Sequence, residues 1–138
     1  PDDPRLAVAV IGKQRTDVLR QRAAQLQLGN HALMPGEVPY ESVPQYMNAL
    51  DIGFATGNVE WSSRVGNSYQ KIRQYLACGK PIITCGSADS ELVESGLAES
   101  VSPGDLDAME SATRRVLARS AREKSEARQL AVQIAHRR

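Results

Sequence analysis

The chain has 138 residues, with 17 Lys and Arg against 16 Asp and Glu and a formal net charge of +1. That length supports one domain with a core of its own, and the near balance of charge excludes a strongly basic nucleic-acid module. Aromatic residues make up only 4% of the sequence, too few for a base-stacking platform; no run approaches the ~18 apolar residues that would cross a bilayer, and no stretch has the pattern of a signal peptide.

Leu6 to Ile11 is a continuous apolar run closing at Gly12, the pattern of a strand buried on both faces in a parallel sheet. A helix is predicted from Thr16 to Leu28, with Leu19, Ala23 and Leu26 on its inner face and Gly29 ending it. His31 to Met34 reads as a short strand stopped by Pro35 and Gly36. Ser42 and Gln45 have capping-box spacing, and Val43, Tyr46, Met47 and Leu50 follow at helical intervals. Ile52 to Ala55 is the third strand.

Thr56 to Ser68 is polar and carries the only tryptophan, Trp61. A helix then runs to Cys78, with Ile72, Tyr75 and Leu76 inward and Gly79 as its stop. Pro81 to Thr84 is a buried strand, and a helix beginning at Ser87 or Ala88 carries Leu92 and Val93. A weak strand near Glu99 to Val101 leads into a helix with Leu106, Met109, Thr113, Val116 and Leu117 on one face. A last, polar helix has Ala127, Leu130, Ala131 and Ile134 as its apolar stripe. Strands alternating with helices across short connections imply a doubly wound α/β fold, a parallel sheet with helices on both faces.

Ligands of such sheets bind beyond the carboxyl ends of the strands. The segments placed there are Gly12-Lys13-Gln14-Arg15, Pro35 to Pro39, Thr56 to Ser68, and Cys85-Gly86-Ser87. Glycines let backbone approach a ligand, and the helix N-termini that follow favour phosphate. The pattern points to an anionic, nucleotide-containing ligand, although glycines at strand ends are also ordinary turn residues. No dinucleotide fingerprint or P-loop is present. His31 and His136 are the only histidines, and no Ser-His-Asp or Cys-His constellation accompanies them; no catalytic residue is assigned. Cys78 and Cys85 lack metal or redox spacing and read as buried, reduced thiols.

The run Tyr75-Leu76-Ala77-Cys78-Gly79-Lys80-Pro81-Ile82-Ile83 closely resembles a motif in the C-terminal domain of retaining GT-B glycosyltransferases of the group 1 type. There a helix ends in E-(A/Y)-(M/L)-A-C-G-K-P before a strand. Small Ala77 and Gly79 would let the helix end approach the sheet. Leu6 to Gly12, Pro35 to Val38, Val43 to Ile52, Ser90 to Gly96 and Ser102 to Asp105 resemble further family segments in the same order, so the resemblance covers nearly the whole chain.

The resemblance implies a Rossmann-like domain that binds a nucleoside-diphosphate sugar, with UDP or GDP as its nucleotide, and holds no tightly bound metal or other cofactor. Base and ribose would lie against Gly12, Lys13, Gly36, Glu37 and Val38. The diphosphate would meet the helix entering near Asn67 and Ser68, with Lys71 and Arg64 as cationic candidates and a solvated surface lysine as the plainer account of Lys71. Helix N-termini and basic side chains would steady the departing diphosphate as charge develops on it. Two glutamates of the family pattern fall on Gly66 and Gln74, neither of them acidic. Gln74 can still hydrogen-bond ribose hydroxyls; Gly66 offers only backbone.

The pattern also implies an N-terminal domain holding a carbohydrate or glycolipid acceptor. The family domain normally begins with one more strand and helix, and here the sequence opens, at Pro1, on what resembles its second strand. That first strand would lie between Leu6–Ile11 and Ile52–Ala55. Either an upstream segment supplies it or those two strands close up directly; we expect a fragment of a longer, two-domain chain that does not catalyse transfer alone. Residues 1–138 then form one donor-binding domain of a hexosyltransferase for polysaccharide or glycoconjugate, cytoplasmic or peripheral to a membrane, without nucleic-acid partners. The alternatives are a degenerate, non-catalytic binding module, which the absent glutamates favour, and a GT-B-fold nucleotide-sugar epimerase.

Overall fold

The structure, a computed structural model, describes residues 5–12, 16–56, 69–85 and 90–137. It divides into two compact units, Pro1–Val43 and Pro44–Arg138. Among the described residues all strand pairing is parallel, in a two-stranded sheet and a three-stranded sheet.

In the first unit, β1 (Val8–Ile11) pairs with β2 (Ala32–Gly36), and helix α1 (Thr16–Gln25) packs on β2. The register slips between Ala9 and Ile11, so β2 carries one residue more than β1 there. This bulge tolerates Pro35, which has no N–H to give a ladder. Arg20 Nη2 donates to the Met34 carbonyl at 3.1 Å. His31 Nδ1 donates to the Leu6 carbonyl at 2.7 Å; because a carbonyl only accepts, Nδ1 carries the proton.

Two sequence expectations fail in α1. The helix ends earlier than Leu28, with Gln27 itself at φ 53. Leu28 N–H bonds Ala23 O and Gln27 N–H bonds Ala24 O, both at 3.0 Å, a Schellman closure formed on glutamine rather than on Gly29. Leu19 and Leu26 are exposed, and Ala23 is the one buried apolar residue among those described in this unit. A helix lying over a two-stranded sheet has little apolar surface to meet.

In the second unit β3 (Gly53–Ala55), β4 (Ile82–Cys85) and β5 (Ala98–Val101) stand in that order. All four residues of β4 are buried, as a central strand requires. Alternate side chains leave its two faces. Ile82 joins Ile72 and Leu76 of α3 (Tyr69–Ala77), Leu92 of α4 (Ser90–Glu94), and Ala131 and Ile134 of α6 (Ala121–Arg137). Ile83 and Cys85 join Ala112 and Val116 of α5 (Leu106–Leu117). Helices therefore cover both faces of this sheet, as the doubly wound reading requires.

β1 and β3 belong to different sheets, so the two strands do not form one ladder; each has one edge with no strand partner among the described residues. Gly53 N–H bonds Pro81 O at 2.9 Å, which turns the Phe54 backbone toward the open edge of β3. Tyr75 of α3 meets it there. Burial pushes the Tyr75 phenol above its ordinary range, and a hydrogen bond from the Phe54 backbone works against that rise.

The α3 stripe behaves as its periodicity predicts, with Ile72 and Leu76 buried and Tyr75 partly so. Gly79, at φ 64, closes the helix: Lys80 N–H bonds Tyr75 O at 2.9 Å and Gly79 N–H bonds Leu76 O at 2.8 Å. The reason given for small residues here needs correction. Ala77 is exposed, and a Cβ on Gly79 would overlap Arg128 Cγ of α6, not the sheet. The close approach of α3 to the sheet occurs instead at Gly53, where a Cβ would lie 2.5 Å from the Tyr75 ring.

Other boundaries moved for local reasons. Residues Tyr40–Ser42 form a 3-10 turn in which Ser42 N–H bonds Pro39 O at 2.9 Å. Ser42 is thus inside that turn rather than the cap of α2 (Val43–Ala49), and Tyr46 is exposed. A reciprocal box forms instead at α6, where Ser120 N–H reaches Glu123 Oε2 at 2.7 Å and Glu123 N–H reaches Ser120 Oγ at 3.3 Å. Asp105 caps α5 through Ala108 N–H at 2.9 Å, leaving Leu106 exposed rather than inward. Val93 is exposed too, and Cys78 is only half-buried.

A methyl at Gly53 has no room beside Tyr75. Gly53→Ala should destabilise the protein by about 1–3 kcal/mol, the usual range for overpacking, and the double variant with Tyr75→Ala should show less than the sum of the two single losses in urea denaturation. The Tyr75 phenol also gives a pH signature. Its folded-state pKa lies above the unfolded value, so its contribution is intact below about pH 10 and is lost as pH rises through the folded pKa. Tyr75→Phe should therefore lose less stability than the wild type when denaturation is repeated above that pH.

Candidate functional site

Each unit presents a rim where its parallel strands end. In the first, the rim is made by the turns after β1 and β2. Gly12 N–H bonds Gly36 O at 2.8 Å, so the two glycines that begin those turns are brought side by side. Both have positive φ, 138 for Gly12 and 87 for Gly36, and among the described residues no atom lies within 4 Å of where a Cβ would stand on either. The glycines are thus required by backbone conformation. Glu37 follows with its side chain exposed, then Val38, which is half-buried.

In the second unit the crossover from β3 through α3 to β4 fixes the direction of the helix. Because β3 and β4 are parallel, α3 runs back along the sheet and starts near the carboxyl ends of the strands. Lys71 and Gln74 lie three residues apart on one side of this start, while Ile72 and Leu76 enter the core. Lys71 is exposed and Gln74 half-buried. The N–H groups of the first turn, which have no partner within the helix, and a lysine beside them suit an anion.

Of the residues chosen from sequence, Gly12, Gly36, Glu37 and Val38 stand together in the first unit, and Lys71 and Gln74 stand together in the second. Lys13, Arg64, Gly66, Asn67 and Ser68 lie outside the described residues, as do Trp61 and the Ser87 helix start. Among the described residues, no group of three or more His, Cys, Asp or Glu side chains is placed to hold a metal ion. A shallow groove of about 310 Å³ in the first unit is lined by Arg20, Ala23, Ala24, Gly29, Ala32 and Met34, none of which was a candidate. Gly53, which seats α3 on the sheet, was not a candidate from sequence, and the neighbour that Gly79 makes room for is Arg128 rather than the sheet. An isolated glycine inside a strand is a signal of close backbone approach, and Gly53 carries it.

The fold and the rims are those of a Rossmann-like, doubly wound α/β domain. A family model described as Glycosyl transferases group 1 matches residues 2–119, and the chain belongs to that family. The fold is similar to that of HepE from Anabaena in three solved structures, each covering 99% of this chain. The structure in complex with UDP gives a TM-score of 0.72 at 20% identity. That with UDP and glucose gives 0.71 at 25%, and that with UDP-glucose gives 0.67 at 22%. The chain spans 37% of the length of the HepE chain. No curated protein matches it. No helix among the described residues is long and apolar enough to cross a membrane.

Proposed function

We propose that this chain is the donor-binding part of a glycosyltransferase and that its ligand is a nucleoside-diphosphate sugar. Family membership supports the reading, and one observation carries it to particular residues. Lys71 and Gln74 occupy the first turns of a helix whose start lies where the parallel strands end. Lys71 and the first-turn N–H groups of α3 receive the diphosphate, and Gln74 meets hydroxyls of the sugar or ribose. Within the first unit, backbone at Gly12 and Gly36, with Glu37 and Val38, offers contacts suited to a nucleoside. Because the similar HepE structures are complexes with UDP or UDP-glucose, a UDP-hexose is the donor to test first, with GDP-sugars next.

In this reading the transferred group is a hexosyl unit. Its acceptor, a carbohydrate or glycolipid destined for polysaccharide or glycoconjugate, is held by a further N-terminal domain. The chain alone does not complete the transfer. Charge developing on the leaving diphosphate is met by fixed N–H dipoles and lysine, so no tightly held metal is needed, and the reaction takes place on the cytoplasmic side.

A neutral residue at position 74 favours a second reading, a binding module without catalysis. Titration tests the donor site on which the first reading depends. Lys71→Ala should weaken UDP binding by about 1.5–3 kcal/mol, the range for a hydrogen bond to a charged group, roughly ten- to a hundredfold in Kd. A Kd unchanged by the substitution removes the diphosphate role from Lys71. Absence of saturable binding for UDP, UDP-glucose and GDP-sugars alike removes the donor-site reading.

A further inference from the structure

We infer that Arg128, on a helix with no proposed ligand contact, is a positioning residue for Lys71: its aliphatic stem seats the C-terminal end of α3 and thereby sets where the first turns of that helix stand. The inference rests on the reading of Lys71 as a diphosphate contact.

α3 has nine residues, a stiff rod about 13 Å long. Its inner face is held in the core by Ile72 and Leu76 against Ala131 and Ile134 of α6. Toward the sheet it is held by the Tyr75 ring against Gly53. Its far end is held at Gly79, where the missing side chain leaves room for Arg128. The atoms of Arg128 nearest that position are Cγ, Cβ and Cδ, so the hydrocarbon stem makes the contact while the residue as a whole stays exposed. The backbone at this end is closed by two hydrogen bonds, Lys80 N–H to Tyr75 O and Gly79 N–H to Leu76 O. A closed helix end transmits its position to the rest of a short rod. Lys71 lies one turn before Tyr75, on the part of the rod that projects beyond these contacts.

Removing the stem beyond Cβ loosens the seat at one end and lets the other end shift. Small displacements of a ligand contact are costly. The guanidinium is not needed for this, so a methionine of similar reach should replace Arg128.

The test uses the 138-residue chain, titrated with UDP and with uridine, which lacks the phosphates. Arg128→Ala should raise the Kd for UDP by about three- to tenfold and leave that for uridine unchanged. Arg128→Met should match the wild type, and Arg128→Ala should add nothing further when Lys71 is already alanine. An Arg128→Ala protein with wild-type UDP affinity overturns the inference while leaving the donor-site reading intact. Equal weakening of UDP and uridine overturns it as well, because it marks a general loss of structure, and so does an Arg128→Met variant as weak as the alanine. A wild-type chain that binds no UDP overturns the donor-site reading, and the inference falls with it.

Discussion

The packing of α3 depends on two side chains that are not there. At Gly53 the sheet offers bare backbone to the Tyr75 ring, and at Gly79 the helix end offers bare backbone to the Arg128 stem. A methyl group at either place collides with atoms already present. The two positions differ in kind. Gly53 has ordinary backbone and is required by crowding alone, whereas Gly79 is required by crowding and by a left-handed backbone that closes the helix. Between them lie Ile72 and Leu76, buried in the larger part of the core. Position, tilt and end of this helix are all fixed by contact.

A fixed α3 matters because the parallel crossover puts its start at the carboxyl ends of the strands. The parallel pairing of β3 and β4 that fixes the direction of α3 brings Lys71 and Gln74 to the rim. In the first unit the rim is built differently, by two glycines with positive φ joined through a backbone hydrogen bond. One rim offers side chains and helix N–H groups, the other mostly backbone.

Much of the architecture was legible in the sequence because it is written in periodicity. The apolar runs Leu6 to Ile11 and Pro81 to Thr84 contain strands, although the first, expected to be buried on both faces, leaves Val8 exposed, and the stripes through Ile72 and Leu76 and through Ala131 and Ile134 are inner faces. What failed were cases where neighbours decided the outcome. Leu19 and Leu26 have inward spacing but find too small a sheet. Ser42 has the spacing of a capping box, yet the chain enters α2 through a 3-10 turn, while the same spacing at Ser120 and Glu123 is used. Gly29 looked like a helix stop, but Gln27 took the left-handed position first. For the candidate site, the glycines could be picked from their places at strand ends, and Lys71 only from the family resemblance. The roles of Tyr75 and Arg128 could not, since both depend on contacts between elements far apart in sequence.

The central claim is that the first turns of α3 receive the diphosphate of a nucleotide. Amide chemical shifts followed by NMR during a UDP titration address it directly. The largest saturating shifts are expected at Lys71 and Gln74, with a common Kd. Saturating shifts confined to α5, α6 or the groove at Arg20 and Met34, with the Lys71 and Gln74 amides unmoved, would contradict it.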